Sequence, residues 1–193
     1  MIGRWALHPL ERWFDGSLRP IFGTALVLSL VLSVVLQRID AGLKTAAAPL
    51  GIISFELAGA RATHVLGSWG EAARRDALLL QGLDYAYLLS YSTALASGAL
   101  LLGRRLSARR PRFAALAGVV AWLQTLAAVC DAIENLPLIL MLRSGVADPA
   151  GASVSRSAAI GKFALVAVGF VYLLAGAALV ITGPRSSYTG SST

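Results

Sequence analysis

Two carboxylates, an amide and a proline fall within seven positions of an otherwise apolar stretch of this chain. They are Asp131, Glu134, Asn135 and Pro137, in the segment CDAIENLPLIL at residues 130–140. Paired carboxyl groups can act as general acid and base, bind a cation, or neutralise a basic side chain. Because charges are costly in apolar surroundings, the segment indicates either a buried ion-pair network or a functional site.

Other apolar stretches carry groups that could meet these carboxylates. Gln81, Asp84 and Tyr91 recur on one side of a predicted helix. Lys162 lies in another apolar stretch and is the expected counter-ion for one or two of the acids, and Arg38 is a candidate for another. Because the acids outnumber Lys162, without Arg38 at least one of them has to be protonated, hydrated or bound to a cation.

Pro137 adds a local irregularity to the same segment. A proline has no N–H to donate to the carbonyl of Ile133, so we expect the helix to kink beside Glu134. Irregular backbone at membrane depth is tolerated only where protein or water covers it, which predicts the wall of a buried polar cavity that opens outward. The residues expected to form it are Asp84, Asp131, Glu134, Asn135 and Lys162, with Gln81, Tyr91 and Glu56 as further candidates.

Known catalytic and cofactor motifs give little support for a specific reaction. The sequence contains no nucleophile elbow, HExxH motif, phosphate-binding loop or dinucleotide fingerprint, so we expect no cofactor. Three carboxylates could hold Mg²⁺, Mn²⁺ or Ca²⁺, but a neighbouring lysine makes a dication less necessary, so no metal is expected. The lone Cys130 is read as a small packing residue.

The composition identifies the elements that must position these residues. The chain has 193 residues, of which 56% are hydrophobic and 14% charged, and its mean hydropathy is +0.69. This predicts an all-α fold, a four-helix transmembrane bundle formed by a single domain over residues 1–193. In the fourth span, Gly169, Gly176 and Gly183 follow Lys162 at seven-residue spacing and suit close helix packing. The predicted spans cover about 18–39, 77–103, 113–142 and 157–182.

The charge distribution predicts how the spans are oriented. The segment GRRLSARRPR at residues 103–112 contains five arginines and no acid, and the whole chain carries a formal net charge of +7. By the positive-inside rule this loop is cytoplasmic, so both termini are cytoplasmic as well. We interpret the arginines as a topology signal, which predicts a multi-pass protein of a bacterial inner membrane. The expected partners are membrane lipids and not nucleic acid.

The segment before the first span fits an interfacial position. Its first twenty residues mix arginines with Trp5 and Trp13, and indole rings favour the headgroup layer. His8 is expected at the surface. A cleaved signal peptide is the alternative, but the long segment before the apolar run and the charged Arg38 and Asp40 after it favour an uncleaved span.

The longest loop, residues 40–76, is external in this topology and contains a predicted amphipathic helix over about 55–70. Ser54 is its expected N-cap, with Glu56 in the first turn, where the helix dipole favours a carboxylate. Alternatively, Glu56 and His64 line the mouth of the cavity. The apolar face comprises Phe55, Ala58, Ala62, Val65, Leu66 and Trp69.

Four short segments together resemble a pattern seen in small bacterial four-span membrane proteins of unassigned function. They are SFELAG at 54–59, LDYAYLLSYS at 83–92, CDAIENLPL at 130–138 and KF at 162–163. The resemblance covers most of the chain and implies four spans, but no activity, cofactor or partner.

These observations favour a non-enzymatic binding or accessory protein with an outward-opening polar cavity lined by carboxylates and a lysine. A small ligand or cation in the cavity, and a homo-oligomer or larger membrane complex, are the expected partners. Two other classes stay open: a membrane enzyme that acts on lipid or isoprenoid substrates by carboxylate acid/base chemistry, and a proton- or cation-coupled carrier that works as an oligomer.

Overall fold

The computed structural model describes residues 8–182, and Trp5, Gly183 and the rest of the C-terminal tail lie outside that range. The described part is helical, with no strand. It contains 3₁₀-helical turns at Asp15–Ser17, Ala41–Leu43 and Gly59–Arg61. Its α-helices are α1 (Pro9–Trp13), α2 (Leu18–Asp40), α3 (Ile52–Glu56), α4 (Ala62–Gly67), α5 (Glu71–Leu106), α6 (Pro111–Ala114), α7 (Ala117–Ser144) and α8 (Pro149–Ile181).

Four of these helices, α2, α5, α7 and α8, are long and apolar enough to cross a membrane, which confirms the predicted helical class. Two of them start earlier than predicted: α5 at Glu71 rather than about 77, and α8 at Pro149 rather than about 157. The start of α8 is set by Asp148, whose carboxylate accepts hydrogen bonds from the N–H groups of Ala150 and Gly151 at 3.2 and 2.8 Å. Pro149 occupies the first helical position, where its missing N–H costs nothing.

Helix α5 is the interior helix of the bundle. In its most apolar 18-residue window 67% of residues are buried, against 6% for α2 and 17% for α8. Helices α2, α7 and α8 all pack against α5, and α7 also packs along α8. Within the described residues α2 and α8 do not form a packed pair, so a gap separates them on one side of α5.

Small residues allow the close approaches in this arrangement. A Cβ built on Gly169 would lie 2.6 Å from Nε2 of Gln124 in α7, and one on Gly176 would collide with Leu102 in α5. Both glycines of the predicted stripe therefore lie where neighbouring helices come close, as expected for small residues between packed helices. Gly103 in α5 is as tightly packed, since its Cβ would lie 2.5 Å from Cβ of Ala117.

The segment 41–70, here called the cap, covers one end of α5, α7 and α8. Its predicted apolar face is buried, together with Leu138 and Met141 of α7. The single amphipathic helix expected over about 55–70 is not formed: α3 ends at Glu56, and a 3₁₀ turn separates it from α4. Gly59, with φ of 53°, has a left-handed backbone conformation that interrupts the helical path.

One polar contact joins the cap to the end of α2, and another ties the two ends of the cap together. Oδ1 of Asp40, the last residue of α2, accepts a hydrogen bond from the N–H of Ile52 at 2.7 Å. Indole Nε1 of Trp69 donates to the carbonyl of Leu43 at 2.8 Å. Gly51, with φ of 60°, lies against the Asp40 carboxylate, where a Cβ would collide with it.

The predicted start of the cap helix therefore needs correction. The N-cap of α3 is Gly51, not Ser54, whose hydroxyl instead accepts a hydrogen bond from the N–H of Leu50 at 2.9 Å. Glu56 is the last residue of α3 rather than a residue of its first turn, so a helix dipole does not explain a carboxylate at this position.

His8 is buried, not on the surface as the sequence suggested. Its Nδ1 accepts the N–H of Leu10 at the start of α1, and its Nε2 lies 3.0 Å from Oγ1 of Thr125 in α7. Because Nδ1 is an acceptor, the neutral ring carries its proton on Nε2 and donates it to Thr125. Burial lowers the pKa of His8, which favours this neutral form. The short α1 is thereby fixed against α7.

We expect Gly103→Ala to destabilise the bundle, because the added methyl would meet both Cβ of Ala117 and the backbone carbonyl of Ala114. Overpacking of this kind costs about 1–3 kcal/mol. Gly82→Ala is the matched control in the same helix, since nothing lies within 4 Å of its Cβ position. Unfolding in mixed micelles with rising denaturing-detergent fraction measures both. Equal stability of the two variants would contradict the close α5–α7 approach.

Candidate functional site

The ammonium of Lys162 lies among three carboxylates contributed by α3 and α7. Its Nζ is 3.0 Å from Oδ1 of Asp131, 2.8 Å from Oε2 of Glu134 and 3.6 Å from Oε2 of Glu56. None of these four side chains is more than 9% exposed. The predicted contact of Lys162 with the carboxylates of α7 is confirmed, and Glu56 is a third partner that helical phase did not identify.

Both oxygens of Asp131 are engaged. Oδ1 accepts a hydrogen bond from Lys162, and Oδ2 accepts one from the hydroxyl of Tyr91 in α5 at 3.0 Å. The Tyr91 ring packs against that of Tyr87, one turn earlier, with centroids 5.2 Å apart. Lys162, Asp131, Glu134 and Glu56 form an ion cluster with members from α3, α7 and α8. Tyr91 connects this cluster to the interior helix α5 through Asp131.

Asp84 is next to this cluster but has a different partner. Its Oδ2 accepts a hydrogen bond from Nδ2 of Asn135 at 2.7 Å. No basic side chain in the described part of the chain forms an ion pair with Asp84. Arg38, suggested as a second counter-ion, likewise forms no ion pair between residues 8 and 182.

The helices carry these groups further from their ends than the sequence suggested. Lys162 lies thirteen residues after the first residue of α8, about 20 Å along the axis, rather than within two turns of its end. Asp84 lies equally far into α5. Glu134 lies ten residues before the end of α7, about 15 Å. Helices α5, α7 and α8 thus bring these charged groups together well inside the bundle.

Neutral polar groups surround the cluster. Pro137 does not end α7, and the hydroxyl of Ser155 in α8 donates to the backbone carbonyl of Glu134, one turn before the proline, at 3.1 Å. Nε2 of Gln124 donates to the carbonyl of Leu165 at 3.0 Å. Gln81 is fully buried, and neither of its amide atoms has a hydrogen-bond partner among the described residues.

Negative charge exceeds positive charge in this region. Four carboxyl groups, Glu56, Asp84, Asp131 and Glu134, lie around one ammonium. Burial raises the pKa of Glu56 above the ordinary carboxyl value. The Lys162 ammonium lowers this pKa, but by less than burial raises it. Among residues 8–182, no set of three or more His, Cys, Asp or Glu side chains is arranged to hold a metal ion.

A groove of about 550 Å³ opens beside the cluster, in the gap between α2 and α8. Its floor is α5, and the cap closes one end with Ile52, Ile53 and Glu56. Polar and ionisable groups line the half next to the cap, whereas the far half is apolar. The polar lining residues are Ser29, Ser33, Gln37, Asp40, Glu56, Asp84, Tyr87, Tyr91, Asp131 and Lys162. The apolar lining residues include Leu26, Leu30, Ala94, Leu95, Val166 and Phe170.

The groove differs from the cavity expected from the sequence. The expected cavity is polar and opens outward. The walls of the observed groove are largely apolar, and residues of the cap line the end at which the expected cavity opens. Glu134, Asn135 and Gln81 are buried behind the groove rather than in its lining. His64 is exposed on the cap and does not join the ion cluster.

Two residues of the site were missed at the level of sequence, although their spacing contained a signal. Tyr87 lines the groove and lies three residues after Asp84 and four before Tyr91, hence on the same helical face. Ser155 lies one heptad before Lys162 and therefore also faces α7. On α2, Ser29, Ser33 and Gln37 line the groove at four-residue spacing, which is a further signal in the sequence. By contrast, the apolar wall on α8 carries no local signal, because apolar residues lie on every side of that part of the helix.

Comparison of the chain with protein-family models, with curated proteins and with solved structures gives no match. The chemistry of the site is therefore inferred from its own geometry. A groove with an apolar half and an acidic half can hold an amphipathic molecule, and the ion cluster can fix the polar end of the groove.

We expect Lys162→Met to destabilise the protein by about 3–5 kcal/mol, because removing one partner leaves several buried carboxylates uncompensated. The triple variant Lys162→Met, Asp131→Asn, Glu134→Gln removes the charges together and should recover most of that loss. Arg75→Met, in an ion pair with Glu71 whose side chains are 74% and 73% exposed, is the control and should change little. Denaturing-detergent titration measures all three. A Lys162→Met variant as stable as Arg75→Met would show that the cluster does not stabilise the bundle.

Proposed function

We propose that this chain is a multi-pass integral membrane protein that binds an amphipathic small molecule or lipid in the groove between α2 and α8, without catalysing a reaction. The observation that carries the proposal is the groove itself. One half is apolar, the other ends at a buried cluster of ionisable groups, and its two side walls are helices that do not pack against each other.

The exposed surface of the long helices supports membrane insertion. Large apolar side chains are exposed along whole helices rather than singly, which is far more apolar surface than a monomer keeps in water. Lipid chains would cover it without cost. The exposed residues include Val27, Val31 and Val34 of α2, Val119, Leu126, Ile133, Leu136 and Leu140 of α7, and Phe170, Val171 and Leu174 of α8.

The arginine-rich connection supports an orientation in a bacterial inner membrane. The basic stretch 103–112 lies between α5 and α7, at the end of the bundle opposite the cap. The positive-inside rule assigns this end and both termini to the cytoplasm, and the cap to the outer face. The groove then runs from the membrane interior toward the outer surface, with its acidic half beneath the cap.

The volume and walls of the groove fit a bound amphiphile. Ligand sites in proteins commonly measure 300–1,000 Å³ and combine apolar walls with a few polar groups. Because α2 and α8 form the walls without packing together, an apolar chain could enter sideways from the bilayer. The polar end of such a molecule would lie next to Asp84 and Glu56, which both line the groove.

Binding is favoured over catalysis by the state of the carboxylates. Asp131 uses both oxygens, for Lys162 and for Tyr91, so it is not free to accept a proton from a substrate. Lys162 is shared by three carboxylates and is held as an ammonium rather than as a nucleophilic amine. These ion pairs suit a fixed polar end of a binding groove.

The orientation is tested by cysteine labelling. After Cys130→Ala removes the native thiol, we expect Ser107→Cys to react with a membrane-impermeant maleimide only when the cytoplasmic face is accessible, because it lies in the arginine-rich connection. Thr63→Cys on the exposed face of α4 is the matched probe and should react from outside in intact cells. Labelling of Ser107→Cys from outside would reverse the proposed topology.

The groove is tested by filling it. We expect a dodecanol with a photoreactive diazirine to label groove-lining peptides of the purified protein saturably. Val166→Phe, which places a ring in the groove, should weaken this labelling by about tenfold, or about 1.4 kcal/mol. Ala167→Phe is the control, since Ala167 is exposed on the same helix and does not line the groove. Equal labelling of the two variants would contradict binding in the groove.

A further inference from the structure

We propose that the molecule bound in this groove is a lipophilic cation, an amine or quaternary ammonium with an apolar tail, whose charged head lies at Asp84. The inference rests on the proposed function, because it names the class of amphiphile that the same groove selects. It follows from the charges along the groove, from two carboxylates in its acidic half that accept no hydrogen bond from a basic side chain among the described residues, and from the aromatic side chains beside them.

The charge of the groove favours a positively charged head. Lys162 is the only basic side chain in the described lining, and Asp131 and Glu134 lie within 3.0 Å of it. Asp84 and Glu56 then face the groove as further acids. An anionic head would meet this acidic excess, whereas a cationic head would reduce it. The attraction between opposite charges is also stronger in a partly buried groove than in water, because the effective dielectric constant is lower there.

Asp84 is the carboxylate best placed to receive such a head. It lines the groove, and its Oδ2 accepts a hydrogen bond from the neutral amide of Asn135. None of the described basic groups pairs with it. The hydrogen bond from Asn135 fixes the Asp84 carboxylate on the wall of the groove without neutralising its charge. Asn135 therefore acts as a positioning residue for a carboxylate that contacts a charged ligand.

Glu56 gives a second, independent indication. It also lines the groove, it is 6% exposed, and its Oε2 has no hydrogen-bond partner among residues 8–182. The distance of 3.6 Å to Lys162 makes this the longest of the three ion pairs. Because this contact is longer than a hydrogen bond, Lys162 compensates the Glu56 carboxylate only weakly, and a cationic ligand head would add to that compensation.

Aromatic rings complete the environment of the head. Tyr87 and Tyr91 follow Asp84 on the same face of α5, with Tyr91 held by its hydroxyl bond to Asp131. Phe163 lines the opposite wall, and its ring lies 4.9 Å from the Lys162 nitrogen. Aromatic faces attract alkylammonium groups, and carboxylates combined with aromatic rings are how proteins bind quaternary amines.

The apolar half of the groove has the length for a tail. On α5 the lining extends eleven residues beyond Asp84, to Leu95, or about 16 Å along the helix. Beyond the tyrosines the lining residues are apolar on all three helices, as at Leu26, Leu95 and Phe170. A molecule with its head at Asp84 therefore places its tail in the middle of the bundle, level with the bilayer interior.

The test compares three photoreactive probes on the full chain in nanodiscs of an uncharged glycolipid, which presents no competing charged headgroup. The probes are a diazirine-bearing dodecyltrimethylammonium, its neutral analogue with a tert-butyl head, and the corresponding dodecyl sulfate. We expect the cation to half-saturate groove labelling at a concentration at least about tenfold lower than the neutral analogue, and the sulfate to label least.

Substitutions locate the charge contact. Asp84→Asn should reduce the preference for the cation over its neutral analogue to near parity, and Asp84→Glu should restore it. Asp76→Asn, an exposed acid on the same helix and outside the groove, should leave the preference unchanged. Because the comparison of cation and analogue on the unmodified chain needs no variant, poor folding of Asp84→Asn would not remove the test.

The outcomes separate the two proposals. Equal labelling by cation and neutral analogue, lost in Val166→Phe, would overturn the cation inference and leave amphiphile binding intact. A full cation preference that persists in a folded Asp84→Asn protein would overturn the assignment to Asp84. Saturable groove labelling by none of the probes would overturn the proposed function and the inference together.

Discussion

The burial of one ammonium group constrains most of this structure. Lys162 is 7% exposed in the middle of a helix that is otherwise almost wholly apolar, and an unpaired charge there would be very costly. Its carboxylate partners come from α7 and from α3. Glu56 of α3 precedes Glu134 of α7 by more than seventy residues in the sequence. The bundle therefore has to align α8 with α7, and the cap has to fold over both, before the charge is compensated.

The neighbouring polar groups follow from the same constraint. Once Asp131 and Glu134 face α8, the next turns of α7 also face it, and small or polar residues fill the contact. Gln124 packs over Gly169, and Ser155 donates to the carbonyl of Glu134. Tyr91 then links the cluster to α5. A network with this many partners specifies one helix register, because a shift of a single residue would separate the ammonium from its acids.

The position of α2 explains why the site is open on one side. Helix α2 has the least buried apolar window of the four long helices, and its principal packing partner is α5. It is fixed at the cap end through Asp40, which binds the backbone at Ile52. Because α2 contributes no charge to the ion cluster, nothing draws it against α8, and the gap between them becomes the groove. In the proposed membrane setting, that gap faces lipid chains.

Local patterns in the sequence determined the helices and the direction of their polar faces. Hydrophobic runs of sufficient length and the 3.6-residue period identified four long helices. The sequence also predicted that Asp131 and Glu134 share a face and that Lys162 is their counter-ion, because residues three apart in a helix lie side by side. The buried face of the cap was also visible, although its break at Gly59 was not. The break depends on a left-handed backbone conformation that glycine permits but does not require.

The tertiary structure alone decided which elements meet. It brought Glu56 to Lys162, buried His8 against Thr125, and left a groove between α2 and α8. None of these follows from periodicity, because they depend on how whole helices lie against one another and on chain segments far apart in sequence. In helices that are apolar on every side, the residues that pack and the residues that line a groove have the same composition. Only their positions in the bundle distinguish them.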